Sequence, residues 1–120
     1  MWLFTIYGFY SIACAAGVNG EPDPETIMIR ARKRQHLENL KERFPAIAGD
    51  VLRTDDSDYR YRVVLLKADW LPVLASLGEE QTWSNFKNQV HKNYKKCGTD
   101  YGRAIHEVWE TMHGLQQNEG

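Results

Sequence analysis

Hydrophobic and polar positions alternate along the first stretch of the chain. From Trp2 to Cys14, the residues Trp2, Phe4, Ile6, Tyr10, Ile12 and Cys14 fall on one side of an extended chain. Leu3, Thr5, Tyr7, Phe9, Ser11 and Ala13 fall on the other. β-Branched and aromatic side chains dominate, as a pleated and partly buried surface requires. Gly8 marks a bulge, or a bend at which one strand becomes two. The stretch predicts a strand and not a secretion signal, because no Lys or Arg precedes Arg30 and polar residues interrupt the apolar run.

The pattern then changes period. After the loop "AGVNGEPDPE", Asp23 reads as an N-cap and Pro24 as a first helical residue. Ile29, Leu37, Leu40 and Phe44 recur at helical spacing, so the reading is one helix from Asp23 to about Arg43, stopped by Phe44-Pro45. A hairpin follows: Val51 to Thr54, a turn at Asp55-Asp56-Ser57, and a longer strand from Tyr59 to Leu66. That strand ends in Val63-Val64-Leu65-Leu66, apolar on both faces, which predicts a central position. Asp69 to Gly78 reads as a short helix and Thr82 starts another, with Trp83, Phe86, Val90 and Tyr94 on one face. A last helix runs from about Tyr101, its stripe being Tyr101, Ile105, Val108, Met112 and Leu115.

Strand, helix, strand, strand and helices define an α+β chain. A right-handed crossover between the first two strands and a hairpin between the next two predict a split β-α-β, a ferredoxin-like variant. The sheet is expected to have three strands or slightly more, in order 1-3-2, with the C-terminal helices replacing a last strand. A single domain, residues 1–120, holds it all. Open edges in so small a sheet must be covered or paired, which points to a homodimer.

Composition narrows the function classes. A formal net charge of −1 gives no global field toward nucleic acid, so nucleic acid is a disfavoured partner. The leading apolar stretch is shorter than the roughly 20 residues that span a bilayer, so no membrane partner is expected. The two cysteines, Cys14 and Cys97, match no zinc spacing and are too few for a disulfide scaffold. No phosphate-loop or metal-ligand motif is present, and the expectation is a cytoplasmic protein without a cofactor.

The segments "MWLFTIYGFYS", "MIRARKRQHLENLKERFP", "DYRYRVVL", "NFKNQVHK" and "YGRAIHEVWETMHGLQ" occur in this order along nearly the whole chain. Together they resemble a family of short bacterial proteins of unknown function. The resemblance implies a bacterial, non-secreted single domain, and it transfers no catalytic residue.

Three groups of residues carry candidate chemistry. The run "RARKR" places Arg30 and Arg34 one helical turn apart, where they can contact phosphates or simply face solvent. In "DYRYR", Arg60 and Arg62 share one strand face and Tyr59 and Tyr61 the other; paired arginines suit a carboxylate or phosphate in fork geometry. His106, Glu110 and His113 lie on the last helix, but the HExxH arrangement is absent and no metal site is expected. Tyr59, Tyr61, Trp83 and Trp109 are candidate interface residues. The favoured reading is a small interaction or regulatory domain without catalytic activity, homodimeric. The alternatives are a binder of an anionic ligand or nucleic acid through Arg30, Arg34, Arg60 and Arg62, and a small enzyme using His, Tyr and Arg.

Overall fold

The computed structural model describes all 120 residues. β1 (Trp2–Phe4), β2 (Phe9–Ala16) and β3 (Pro22–Ala31) come first, then α1 (Arg34–Arg43), β4 (Leu52–Arg53) and β5 (Tyr61–Leu66). Four helices close the chain: α2 (Lys67–Glu79), α3 (Phe86–Lys92), α4 (Tyr94–Cys97) and α5 (Thr99–Asn118). The five strands form one antiparallel sheet in the order β1-β2-β3-β5-β4. The α+β class is as expected.

The first stretch is pleated and bends at Gly8. The Thr5 hydroxyl accepts the N–H groups of Tyr7 and Gly8 at 3.0 and 3.1 Å and donates to the Gly8 carbonyl at 2.9 Å, which closes the turn. Gly8 has φ +152°, and a Cβ there would lie 2.3 Å from Cγ of His36. Only glycine fits. Because the chain reverses here, Trp2 and Phe4 pair with Ser11 and Phe9, and so share a face with them instead of with Tyr10 and Ile12.

One sheet face is covered. Tyr10, Ile12, Ile27, Ile29, Ala31, Val63 and Leu65 point inward and meet Leu37, Leu40 and Phe44 of α1 and its end, and Trp70 and Val73 of α2. Each fully buried Leu or Ile there contributes about 1.5–3 kcal/mol by leaving water. A smaller cluster of Val90, Cys97, Tyr101 and Ile105 joins α3, α4 and α5 to Phe4, Ile6 and Phe9.

The expected helix from Asp23 to Arg43 is corrected. Residues Pro22–Ala31 are a strand and only Arg34–Arg43 is helical. The Asp23 carboxylate accepts from the Glu25 N–H at 3.0 Å and the Thr26 hydroxyl at 2.7 Å, a local turn where an N-cap was expected. Ile27, Ile29 and Ala31 alternate with Thr26, Met28 and Arg30, and β2 and β5 both offer ladders to this segment. Two sets of backbone partners outweigh a helical start signal.

The crossover and the order 1-3-2 therefore fall too, and with them the ferredoxin-like split. β3 is the central strand, and β5 lies next to the edge. Val64 and Leu66 of β5 are exposed, so their apolar character does not come from a second covered face. No helix is long and apolar enough to cross a membrane.

Candidate anion-binding face

The second sheet face, covered by the α3–α5 cluster only at Phe4 and Phe9, carries Trp2 and Phe4 from β1, Phe9, Ser11 and Ala13 from β2, and Thr26, Met28 and Arg30 from β3. Arg62, Val64 and Leu66 come from β5, and Leu52 from β4. None of these positions holds Asp or Glu. The carboxylate nearest to them is that of Asp23, at the far end of β3, which accepts from the Thr26 hydroxyl.

One rung crosses all five strands. Trp2 pairs with Ser11, Ser11 with Arg30, Arg30 with Arg62, and Arg62 with Leu52. Directly opposed side chains have Cβ atoms about 4.5–5.5 Å apart, and like charges in that relation repel. Arg30 donates from Nη2 to the Ser11 hydroxyl at 2.8 Å, and Arg62 from Nη2 to the Ser57 hydroxyl at 3.0 Å. Both partners are neutral. No carboxylate lies within 4 Å of Arg30, Arg32 or Arg62, and Nε of Arg30 and of Arg62 is buried without an acceptor.

Tyr59 holds two of the arms. Its ring is buried beneath Arg30, whose Cζ is 5.0 Å from the ring centroid, and Arg32, at 4.6 Å. Cation–π contacts of this kind contribute about 0.5–2 kcal/mol and set the guanidinium planes. Arg32 also lies 6.0 Å from the Phe9 ring centroid. The basic group thus continues into an aromatic one: Phe9 stacks on Phe4 at 4.5 Å and meets Trp2 edge-on at 5.9 Å.

Between those rings and α5 runs a cleft of about 260 Å³, lined by Trp2, Phe4, Phe9, Arg32, Tyr101 and Val108 among others. The Lys33–Asp100 ion pair, at 2.8 Å, also borders it and holds the Asp100 carboxyl below the usual range. His36 forms part of the wall. Its Nδ1 accepts from the Phe9 N–H at 3.3 Å and its Nε2 donates to the Cys97 carbonyl at 3.3 Å, an arrangement that requires neutral imidazole. Burial, aided by the charge of Lys33, lowers its pKa. Tyr101 anchors the start of α5 by donating to the Thr5 carbonyl at 2.8 Å, and burial drives its pKa up. Burial also raises the Cys97 pKa, and this thiol donates to the Ile6 carbonyl.

The structure separates the residues singled out from the sequence. Arg30 and Arg62 come together. Arg60 does not join them: β5 begins at Tyr61, so Arg60 falls in the bend before it and faces Asp55 at 3.7 Å. Arg34 opens α1 and lies 5.8 Å from the Tyr61 ring, which packs on the covered face. Tyr59 is buried and Tyr61 half-buried, and Trp83 is half-buried beside Leu74 and Leu77. Trp109 is exposed, with Lys87 Nζ 4.4 Å from its ring centroid and His106 and His113 stacked on either side. His106 faces Glu110 at 3.1 Å.

Arg32, Ser11, Trp2 and Phe9 were not singled out as site residues. Reading residues 26–32 at period two would have found Arg32, because Arg30 and Arg32 then share a face. Comparison with protein-family models, curated proteins and solved structures finds no match for the chain.

Proposed function

We propose that this protein binds an anionic ligand, a phosphate group by preference, on the open sheet face at Arg30, Arg32 and Arg62. The observation that carries the reading is the opposed Arg30–Arg62 pair, which has neutral hydroxyl partners and no carboxylate. Two guanidiniums in register cost stability in the free protein. An anion between them reverses the sign of that interaction and takes up forked, charge-assisted hydrogen bonds. Three arginines on one face match a dianion better than a single carboxylate. The Ser11 and Ser57 hydroxyls orient two of the arms from either flank.

The test is calorimetric titration with inorganic phosphate at low and moderate salt. Binding that weakens as salt rises, with a Kd no weaker than about 1 mM (about −4 kcal/mol), is expected. Arg30→Gln and Arg62→Gln should each weaken it by about tenfold or more. An unchanged heat of mixing and melting temperature at saturating phosphate overturns the proposal.

A second reading, self-association, rests on the outer half of α5. Val108, Trp109, Met112 and Leu115 are between 39% and 62% exposed there. Val108, Met112 and Leu115 follow at spacings of four and three, the seam of a paired helix. The flanking Ala104, Thr111, Gln116 and Asn118 carry no charge, so a second copy meets no repulsion along the seam. Light scattering distinguishes this reading: a dimer that Met112→Glu dissociates supports it, and a monomer at high concentration overturns it.

A further inference from the structure

We infer that the anion this face takes is carried on a planar aromatic ring, so that the ligand class is a nucleotide. This inference rests on the phosphate reading above and adds the ring half of the ligand.

The geometry is one continuous surface. The rung that carries Arg30 and Arg62 begins at Trp2, two strand spacings from Arg30, about 10 Å. Along that path the groups change from cationic to aromatic without an intervening acid. Arg30 and Arg32 share the Tyr59 ring, Phe9 is 6.4 Å from Tyr59, and Trp2 and Phe4 both contact Phe9. Arg32 belongs to both halves, since it lies over Tyr59 and also lines the cleft.

The aromatic half is unsatisfied in the way the basic half is. Trp2 is 69% exposed although it stands in a strand, and its one ring contact, with Phe9, is T-shaped, so no ring of the chain stacks parallel to it. The cleft beside it, about 260 Å³, falls just under the roughly 300 Å³ at which pockets for drug-sized ligands begin. It suits a single ring system. The walls toward α5 are Tyr101, Ala104 and Val108, opposite the rings, and the Asp100 carboxylate that also borders the cleft is neutralised by Lys33. A ring placed there has Arg32 in its wall to receive the phosphate, and Arg30 shares the Tyr59 ring with Arg32.

The experiment compares adenosine 5′-monophosphate, ribose 5-phosphate and inorganic phosphate on the intact chain. The nucleotide should bind more tightly than ribose 5-phosphate by about fivefold to about 100-fold, the range expected of one base stacked on an aromatic side chain. Trp2→Ala, at an exposed position where folding is not at risk, should remove that gain and leave inorganic phosphate binding unchanged. In a two-dimensional NMR spectrum the Trp2 indole N–H should shift with the nucleotide and stay still with phosphate alone. Equal affinity for the nucleotide and ribose 5-phosphate overturns the inference, as does a Trp2→Ala variant that weakens all three ligands alike. Failure of all three to bind overturns the phosphate reading instead, so the two failures are separable.

Discussion

Arg30 on β3 and Arg62 on β5 stand directly opposite each other, with Ser11 and Ser57 as their hydrogen-bond partners. The pair is an electrostatic liability placed on an uncovered surface. Such an arrangement predicts opposite effects on stability and on binding. Arg30→Gln and Arg62→Gln each remove a repelling charge together with a hydrogen bond to a hydroxyl, and Arg30→Gln also the contact with the Tyr59 ring, so unfolding free energy should move by no more than about 2 kcal/mol. Phosphate affinity should fall by about tenfold or more, since hydrogen bonds to charged groups are worth about 1.5–3 kcal/mol. Urea unfolding and calorimetry on the same samples check both halves.

Gly8 and His36 fit against one another. A methyl group at Gly8 would overlap the imidazole, and the backbone there has φ +152°. Gly8→Ala should therefore cost about 3 kcal/mol or more by combining overpacking with backbone strain. The damage should also reach the cleft, because His36 Nδ1 accepts the Phe9 N–H. A shift in the urea midpoint of less than about 1 kcal/mol equivalent would show that the turn relaxes freely.

His36 makes the fold sensitive to acid. In the unfolded chain its pKa is about 6.5; in the fold, burial first and the Lys33 charge after it hold it lower. Between those two values the unfolded state binds more protons, so stability rises with pH. The contribution is complete above about pH 6.5 and is lost as pH falls through the folded pKa. Asp100, whose carboxyl is held low by Lys33, titrates below this window. Urea midpoints should fall from pH 7 to about pH 5, and His36→Gln should flatten that part of the slope. An imidazole that titrates at or above its ordinary value in NMR contradicts this account.

The outer half of α5 has no intramolecular partner for Met112 and Leu115. Met112→Glu at this exposed site should leave the melting temperature of the monomer within about 2 °C of the parent. Its effect should be confined to self-association, read by light scattering over a concentration series.

Much of the local structure was legible. The period-two pattern and β-branched residues identify Phe9–Ala16 and Tyr61–Leu66, and the stripe from Tyr101 to Leu115 identifies α5. Gly8 was recognisable as a bend because no other residue in the stretch lacks a Cβ. Pro22–Ala31 was misread because Asp23-Pro24-Glu25 imitates a helix start and Ile29 happens to fall in phase with Leu37. Its strand character comes from having a ladder on each side, and a single segment carries no record of its neighbours.

The site shows the same division. Tyr59, Arg62 and the run from Arg30 to Arg34 attracted attention from residue type alone. Their grouping did not follow, because register between β3 and β5 sets Arg30 against Arg62 and leaves Arg60 to Asp55. The sequence by itself determined which segments alternate, where the chain must turn, and that arginines and aromatics occur in strand-like stretches. Only the tertiary structure decided that the strand positions of one sheet face hold no acid, with Trp2, Arg30 and Arg62 on a single rung. The physical reason is that side-chain alternation is a local property of the backbone, while strand order and register are settled by which hydrophobic face is buried and which partners complete the hydrogen-bond ladder.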